Sequence, residues 1–343
     1  MDSGKPAEEM NRLCMAAIAV VGSGAAFGIM VQPSQWSVIS NDILGELGKV
    51  YPAPTDPYAT VTAGISVDRT NGDVYMLANN IGICKSTDQG KSFRLVSGSA
   101  VTGRFETGWG LNIDPNGRRL MCFAIYGSSA YSADAGKTWK KSSVSHLDYG
   151  AVDWADSGKA LLAIGHESGG KLLFSSDTGE TWQTLGTGFW GAGMFDRKKL
   201  LSRKDGIQRS GDAGQSWTKV SDEPIAAPVM VLFKGIGYWL GEHGLLVSKD
   251  KGLTWMVSAG TPKGATLGPM FGRDERTMVV GSPDGLFESK DSGKTWVLLA
   301  PLAPEIKVLK GGLYGTYGWD SIHNIVYASQ MRMPAYRFVV GRG

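Results

Sequence analysis

One eight-residue pattern, Ser-x-Asp-x-Gly-x-(Ser/Thr)-(Trp/Phe), recurs six times and constrains this chain more than any other feature. The copies begin at Ser86, Ser132, Ser175, Ser210, Ser248 and Ser289, at successive intervals of 46, 43, 35, 38 and 41 residues. Repeats about forty residues apart, each with room for several short strands, are the signature of β-propeller blades. Within each copy the chemistry is that of a turn. The Asp carboxylate accepts hydrogen bonds from turn amides, and the Gly adopts the left-handed backbone. The aromatic opens the next strand and packs between blades. A calcium loop would need more oxygen ligands and a terminal bidentate Glu. The repeats are therefore read as structural, with no metal or cofactor.

Composition agrees with many short strands and tight turns. The chain has 48 Gly in 343 residues, about twice the usual share of roughly 7%. A formal charge of +3 with no basic run argues against a nucleic-acid partner. Of three cysteines, Cys84 and Cys122 read as small buried side chains, and Cys14 falls in the N-terminal segment. There Arg12 precedes an apolar stretch over 13–27 that ends in small residues. Residues 1–31 therefore read as a secretory signal, too short for a stable membrane span; the competing reading is an outer strand of the closing blade. Residues 32–343 form one domain. The expected protein is secreted or periplasmic, and a monomer.

Each repeat turn follows the same local syntax. In the first blade an inner strand (63–68) precedes a second (73–78), and a third enters the turn. The pattern recurs at 110–114, 119–125 and 130–132, and again at 151–154, 160–164 and 171–175. Beyond Trp296 a blade without the turn remains, with strands expected at 308–314, 324–329 and 336–340. Residues 35–39 are expected to supply its outermost strand, Trp36 taking the place of a turn aromatic. Closing the ring this way removes an exposed sheet edge. The expected fold is all-β: seven blades, six with the turn and one shared between the chain ends.

The turns lie on one face of such a propeller, so function is sought on the other. That face collects the crossings between blades and the loops from second to third strands. The crossings carry Arg104 to Trp109, His146-Leu-Asp148-Tyr149 and Phe189-Trp190. The loops carry Tyr126, His166-Glu167, Arg203, His243 and the stretch from Tyr317 to Asp320. Three of the four His residues fall in this set, and His is the side chain best matched to proton transfer near neutral pH. His146 and His166 come from one blade and should be neighbours. Arg203 is a plausible carboxylate clamp, because a planar guanidinium pairs bidentately with carboxylates. Asp153 falls in an inner strand, and Glu167 is read as orienting a His. Aromatic rings for sugar faces and charges for sugar hydroxyls make an acidic polysaccharide or oligosaccharide the expected partner. Arg104, Tyr126, Tyr149, Trp190, His243 and Tyr317 are the expected substrate contacts.

The turns resemble the Asp boxes of BNR-type propellers, shared by sialidases, sortilin-type receptors, xyloglucanases and photosystem assembly factors. A narrower resemblance rests on His146-Leu-Asp-Tyr-Gly-Ala-Val-Asp-Trp154 and His166-Glu-Ser-Gly-Gly170, with twenty residues between the two His. It is similar to the seven-bladed ulvan lyases and rhamnose–glucuronate lyases, a group related to α-L-rhamnosidases. The resemblance implies β-elimination at a 4-linked uronic acid. His146 and His166 would serve as base and acid, and Arg203 would neutralise the carboxylate. Those lyases also use a Tyr, where this chain has Phe189-Trp190; Tyr126 or Tyr149 would substitute, or one His would serve as both base and acid. The alternatives are a related α-L-rhamnosidase and a non-catalytic propeller that binds glycan or protein.

Overall fold

The computed structural model describes residues 35–39, 62–78, 81–101, 108–156, 158–308, 315–330 and 333–341. Seven four-stranded antiparallel sheets follow one another along the chain from Ser34 to Gly343, which forms one unit. Blades one to six span residues 62–95, 111–141, 147–186, 192–221, 231–258 and 267–300. In the seventh, Gly315–Asp320, Ile325–Gln330 and Tyr336–Val339 are followed outward by Trp36–Val38. That last strand comes from the other end of the chain and pairs Trp36 with Phe338 and Val38 with Tyr336. The protein is an all-β, seven-bladed propeller.

The repeat turns explain why the sheets are so regular. In every copy the Ser hydroxyl donates to the Asp carboxylate and accepts from the Gly N–H. The other carboxylate oxygen accepts the Ser or Thr hydroxyl four residues on. Two successive residues are left-handed, not the Gly alone: in the first turn Gln89 has φ 64° and Gly90 φ 77°. The hydroxyl of Ser216, Thr254 or Thr295, then the backbone N–H of the same residue, holds Asp212, Asp250 or Asp291 at about 2.

A second recurring Asp closes the turn between first and second strands. Asp68, Asp114, Asp153, Asp196, Asp274 and Asp320 each accept the backbone N–H two residues further on, at 2.8–3.2 Å. This Asx turn marks where the inner strand ends in six blades; in blade five left-handed Lys234 and Gly235 make the turn instead. In the closing blade the inner strand is Gly315–Asp320, later than expected; residues 309–314 of the expected strand lie outside the described residues. Blade three begins earlier than expected, at Leu147–Val152.

Side chains from the flanking blades interleave. Trp239, Leu245 and Leu246 of blade five pack with Phe195 of blade four and Phe271 of blade six. Truncating such a side chain to Ala costs about 2–5 kcal/mol. Cys84 and Cys122 are buried free thiols, and burial pushes Cys84 up to about 12. Trp109 packs against three of these clusters, which puts it near the propeller axis. First and third strands run the same way, so the Asx turns and the repeat turns share a face. The crossings and the second-to-third-strand loops share the other.

Candidate functional site

Blade three places both of its His residues on the crossing face, and a backbone irregularity decides what joins them. Leu147 pairs with Gly165 and Tyr149 with Ile164, leaving Asp148 as the extra residue of a β-bulge. A bulge breaks the alternation of side chains and re-aims one of them. Here Asp148 turns to His166, its Oδ1 lying 2.8 Å from Nδ1. The residue before the bulge, His146, has φ 59°, a conformation that His adopts more readily than most side chains. Its carbonyl accepts the His166 backbone N–H at 2.7 Å, which ties the crossing to the loop.

The two imidazoles lie near-parallel, with ring centroids 6.5 Å apart. Tyr126, from the second-to-third-strand loop of blade two, meets both edge-on at 5.2 Å and 5.7 Å. His166 is mostly covered, while Tyr126 remains 38% exposed. The tautomer that donates Nδ1–H to Asp148 presents the lone pair of Nε2. Asp148 therefore has the orienting place expected for Glu167, whose carboxylate is exposed and stands 3.8 Å from Nε2. The sequence signal for Asp148 was only its place in the crossing; the bulge that aims it is invisible in the residue pattern.

Blade four continues the same face. The Trp190 N–H donates to the Arg203 carbonyl at 2.7 Å, and the Trp190 indole is 47% exposed. Arg203 anchors one guanidinium nitrogen on the Ile225 carbonyl at 2.7 Å. Tyr149 is buried between blades three and four, hydrogen-bonded to the Gly191 backbone. Burial pushes its phenol up, the Asp148 charge adds to that, and Arg203 opposes it. Tyr149 thus lines no open surface, and Tyr126 is the phenol beside the imidazoles. His243 lies further round on blade five, exposed, with Nδ1 2.8 Å from Glu223.

One expected contact, Tyr317, lies elsewhere, and the inner-strand acid Asp153 faces away from the site. Tyr317 sits inside the inner strand of blade seven, its hydroxyl accepting from Ala303 N and donating to the Ile306 carbonyl. With that strand at 315–320, Tyr317 is a buried strand residue and not a loop residue. Asp153 is buried at the opposite end of its strand, capping the Asx turn, and burial raises its carboxyl. Arg104 lies outside the described residues. Among the described residues no three His, Cys, Asp or Glu gather as a metal site, and no helix is long and apolar enough to cross a membrane.

No protein-family model and no curated protein matches the chain. Solved structures do resemble it. YCF48 from Cyanidioschyzon merolae superposes with a TM-score of 0.50 at 13% identity, covering 88% of this chain and 98% of that one. YCF48 bound to a D1 peptide gives 0.49 at 14% identity, over 82% and 94%. An ancestral GH74 enzyme gives 0.49 at 13% identity, over 82% of this chain and 45% of its own. The likeness is one of fold.

Proposed function

We propose that the crossing face of blades two to four is an acid–base site that cleaves a uronic-acid-containing glycan by β-elimination. The observation that carries this reading is the His166–Asp148 pair, at 2.8 Å, with Tyr126 against both imidazoles. The C5 proton of a uronate is weakly acidic until its carboxylate is neutralised. The Arg203 donors not engaged by Ile225 supply that neutralisation and stabilise the developing enolate, an effect often worth several kcal/mol. Nε2 of His166 removes the proton, and Asp148 holds the imidazole in the required tautomer and steadies the imidazolium that forms. Tyr126 or His146 returns a proton to the departing oxygen. Trp190 offers its exposed ring to a neighbouring sugar face. The apolar stretch over 13–27 fits export to where such polysaccharides occur.

The test mixes the chain with ulvan, gum arabic and other uronate glycans and follows ultraviolet absorbance from newly formed unsaturated uronate. A His146→Ala, His166→Ala double variant is the control. Absorbance rising only with the wild type supports the lyase. Rhamnose release without new absorbance replaces it with a rhamnosidase. Neither signal with any glycan leaves a non-catalytic binding propeller.

A further inference from the structure

The face that carries the repeat turns has a feature of its own on the propeller axis. The inner strands enclose a cavity of about 270 Å³, lined chiefly by apolar side chains such as Trp109, Met230, Leu232 and Phe271. Most polar groups on its wall are satisfied within the protein. Ser66 donates to the Leu111 carbonyl, Asn112 to the Trp109 carbonyl, and the Tyr317 hydroxyl is doubly bonded.

Among the described residues the buried indole N–H groups of Trp109 and Trp319 have no partner, and Arg69 is the charged group whose donors are not all used. It follows the inner strand of blade one and lines the cavity at the repeat-turn end. Its Nε donates to the Pro115 carbonyl at 3.2 Å, and its guanidinium carbon lies 4.2 Å from the centre of the Phe233 ring in blade five. Phe233 is itself stacked on Phe271 at 4.2 Å. One edge and one plane of the guanidinium are thereby fixed, and among the described residues no acceptor meets its two terminal amino groups. The charges around it are engaged elsewhere. Asp114 accepts from Arg119 at 2.6 Å, Asp68 caps its own turn through Thr70, and Lys234 pairs with Glu275 at 2.7 Å. Burial lowers the Arg69 pKa, an effect opposed by Asp114 and Asp68, so the group stays a cation with part of its hydration removed.

We propose that this end of the axial cavity binds a small apolar monocarboxylate, its carboxylate on Arg69 and its body in the channel. A guanidinium held by its Nε and its plane is pre-organised for bidentate pairing with a carboxylate. The wall is chiefly apolar, and beyond the Trp109 and Trp319 indole N–H groups it offers a sugar's many hydroxyls few partners for the water they would lose. The site lies at the opposite end of the axis from His166 and does not depend on the chemistry proposed there.

Calorimetric titration with 3-phenylpropionate tests it, with 3-phenylpropan-1-ol as the uncharged analogue. The acid is expected to bind saturably with one site per chain, and the alcohol roughly tenfold or more weakly. Arg69→Gln should remove that preference while the thermal unfolding midpoint shows the variant folded. Leu232→Trp, which fills the channel and leaves Arg69 in place, should abolish both heats. The His146→Ala, His166→Ala double variant should bind the acid as the wild type does. No saturable heat with the acid would overturn the proposal, as would equal affinity for acid and alcohol, or undiminished binding of the acid by folded Arg69→Gln.

Discussion

The two faces of this propeller use the same residue types to opposite ends. On the repeat-turn face, Asp212, Asp250 and Asp291 direct their carboxylates at the turn's own hydroxyls and amides. On the crossing face, Asp148 meets an imidazole whose second nitrogen points away from it, and the aromatic beside that imidazole is exposed. A motif that recurs in six blades has its hydrogen-bonding capacity closed locally, so it builds the sheet and leaves nothing for a ligand. Residues that occur once, at a bulge and a left-handed crossing, instead bring two imidazoles and a phenol together on the crossing face.

The sharpest way to break this contrast is to exchange the roles by mutation. His166→Ala should lower glycan cleavage about 10²–10⁴-fold, with little change in the unfolding midpoint. A stable variant with wild-type initial rates would remove the crossing face from the chemistry. Asp148→Asn keeps the hydrogen bond but not the charge, and should cost roughly tenfold or more in rate. Its pH–rate profile should also shift, which mere loss of packing would not cause.

Ser175→Ala, in the repeat turn of the same blade, should do the reverse. It strands the buried Gly179 N–H, costing about 1–3 kcal/mol in denaturant unfolding, and leaves the rate per folded molecule unchanged. The turn carboxylates also set an acid limit. Their folded pKa values lie at about 2, below the ordinary 3.8, so the stability they contribute is complete above about pH 4. It is lost as pH falls from there through 2, and denaturant midpoints across that window should decline together in wild type and His166→Ala.

The same contrast explains what could be read from the chain. The blades were legible because the repeat's bonding is local: Ser, Asp, Gly and Thr contact one another within seven residues. The paired His residues were legible as loop positions of a regular blade. Asp148 was not, because its direction depends on a bulge set by pairing with Gly165 and Ile164. Tyr317 was misplaced because the seventh blade lacks the turn that would have anchored its register. There the Asx turn at Asp320 marks the strand end instead, a weaker pattern of one residue type.

The most direct test of the account needs no substrate. Nitrogen-15 chemical shifts of the His166 ring, measured at alkaline pH, report which nitrogen carries the proton. In the wild type the proton is expected on Nδ1, donated to Asp148, with Nε2 unprotonated, and that preference is expected to be lost in Asp148→Asn. A ring protonated on Nε2 in the wild type would contradict it, since the nitrogen assigned to take the substrate's proton would already hold one.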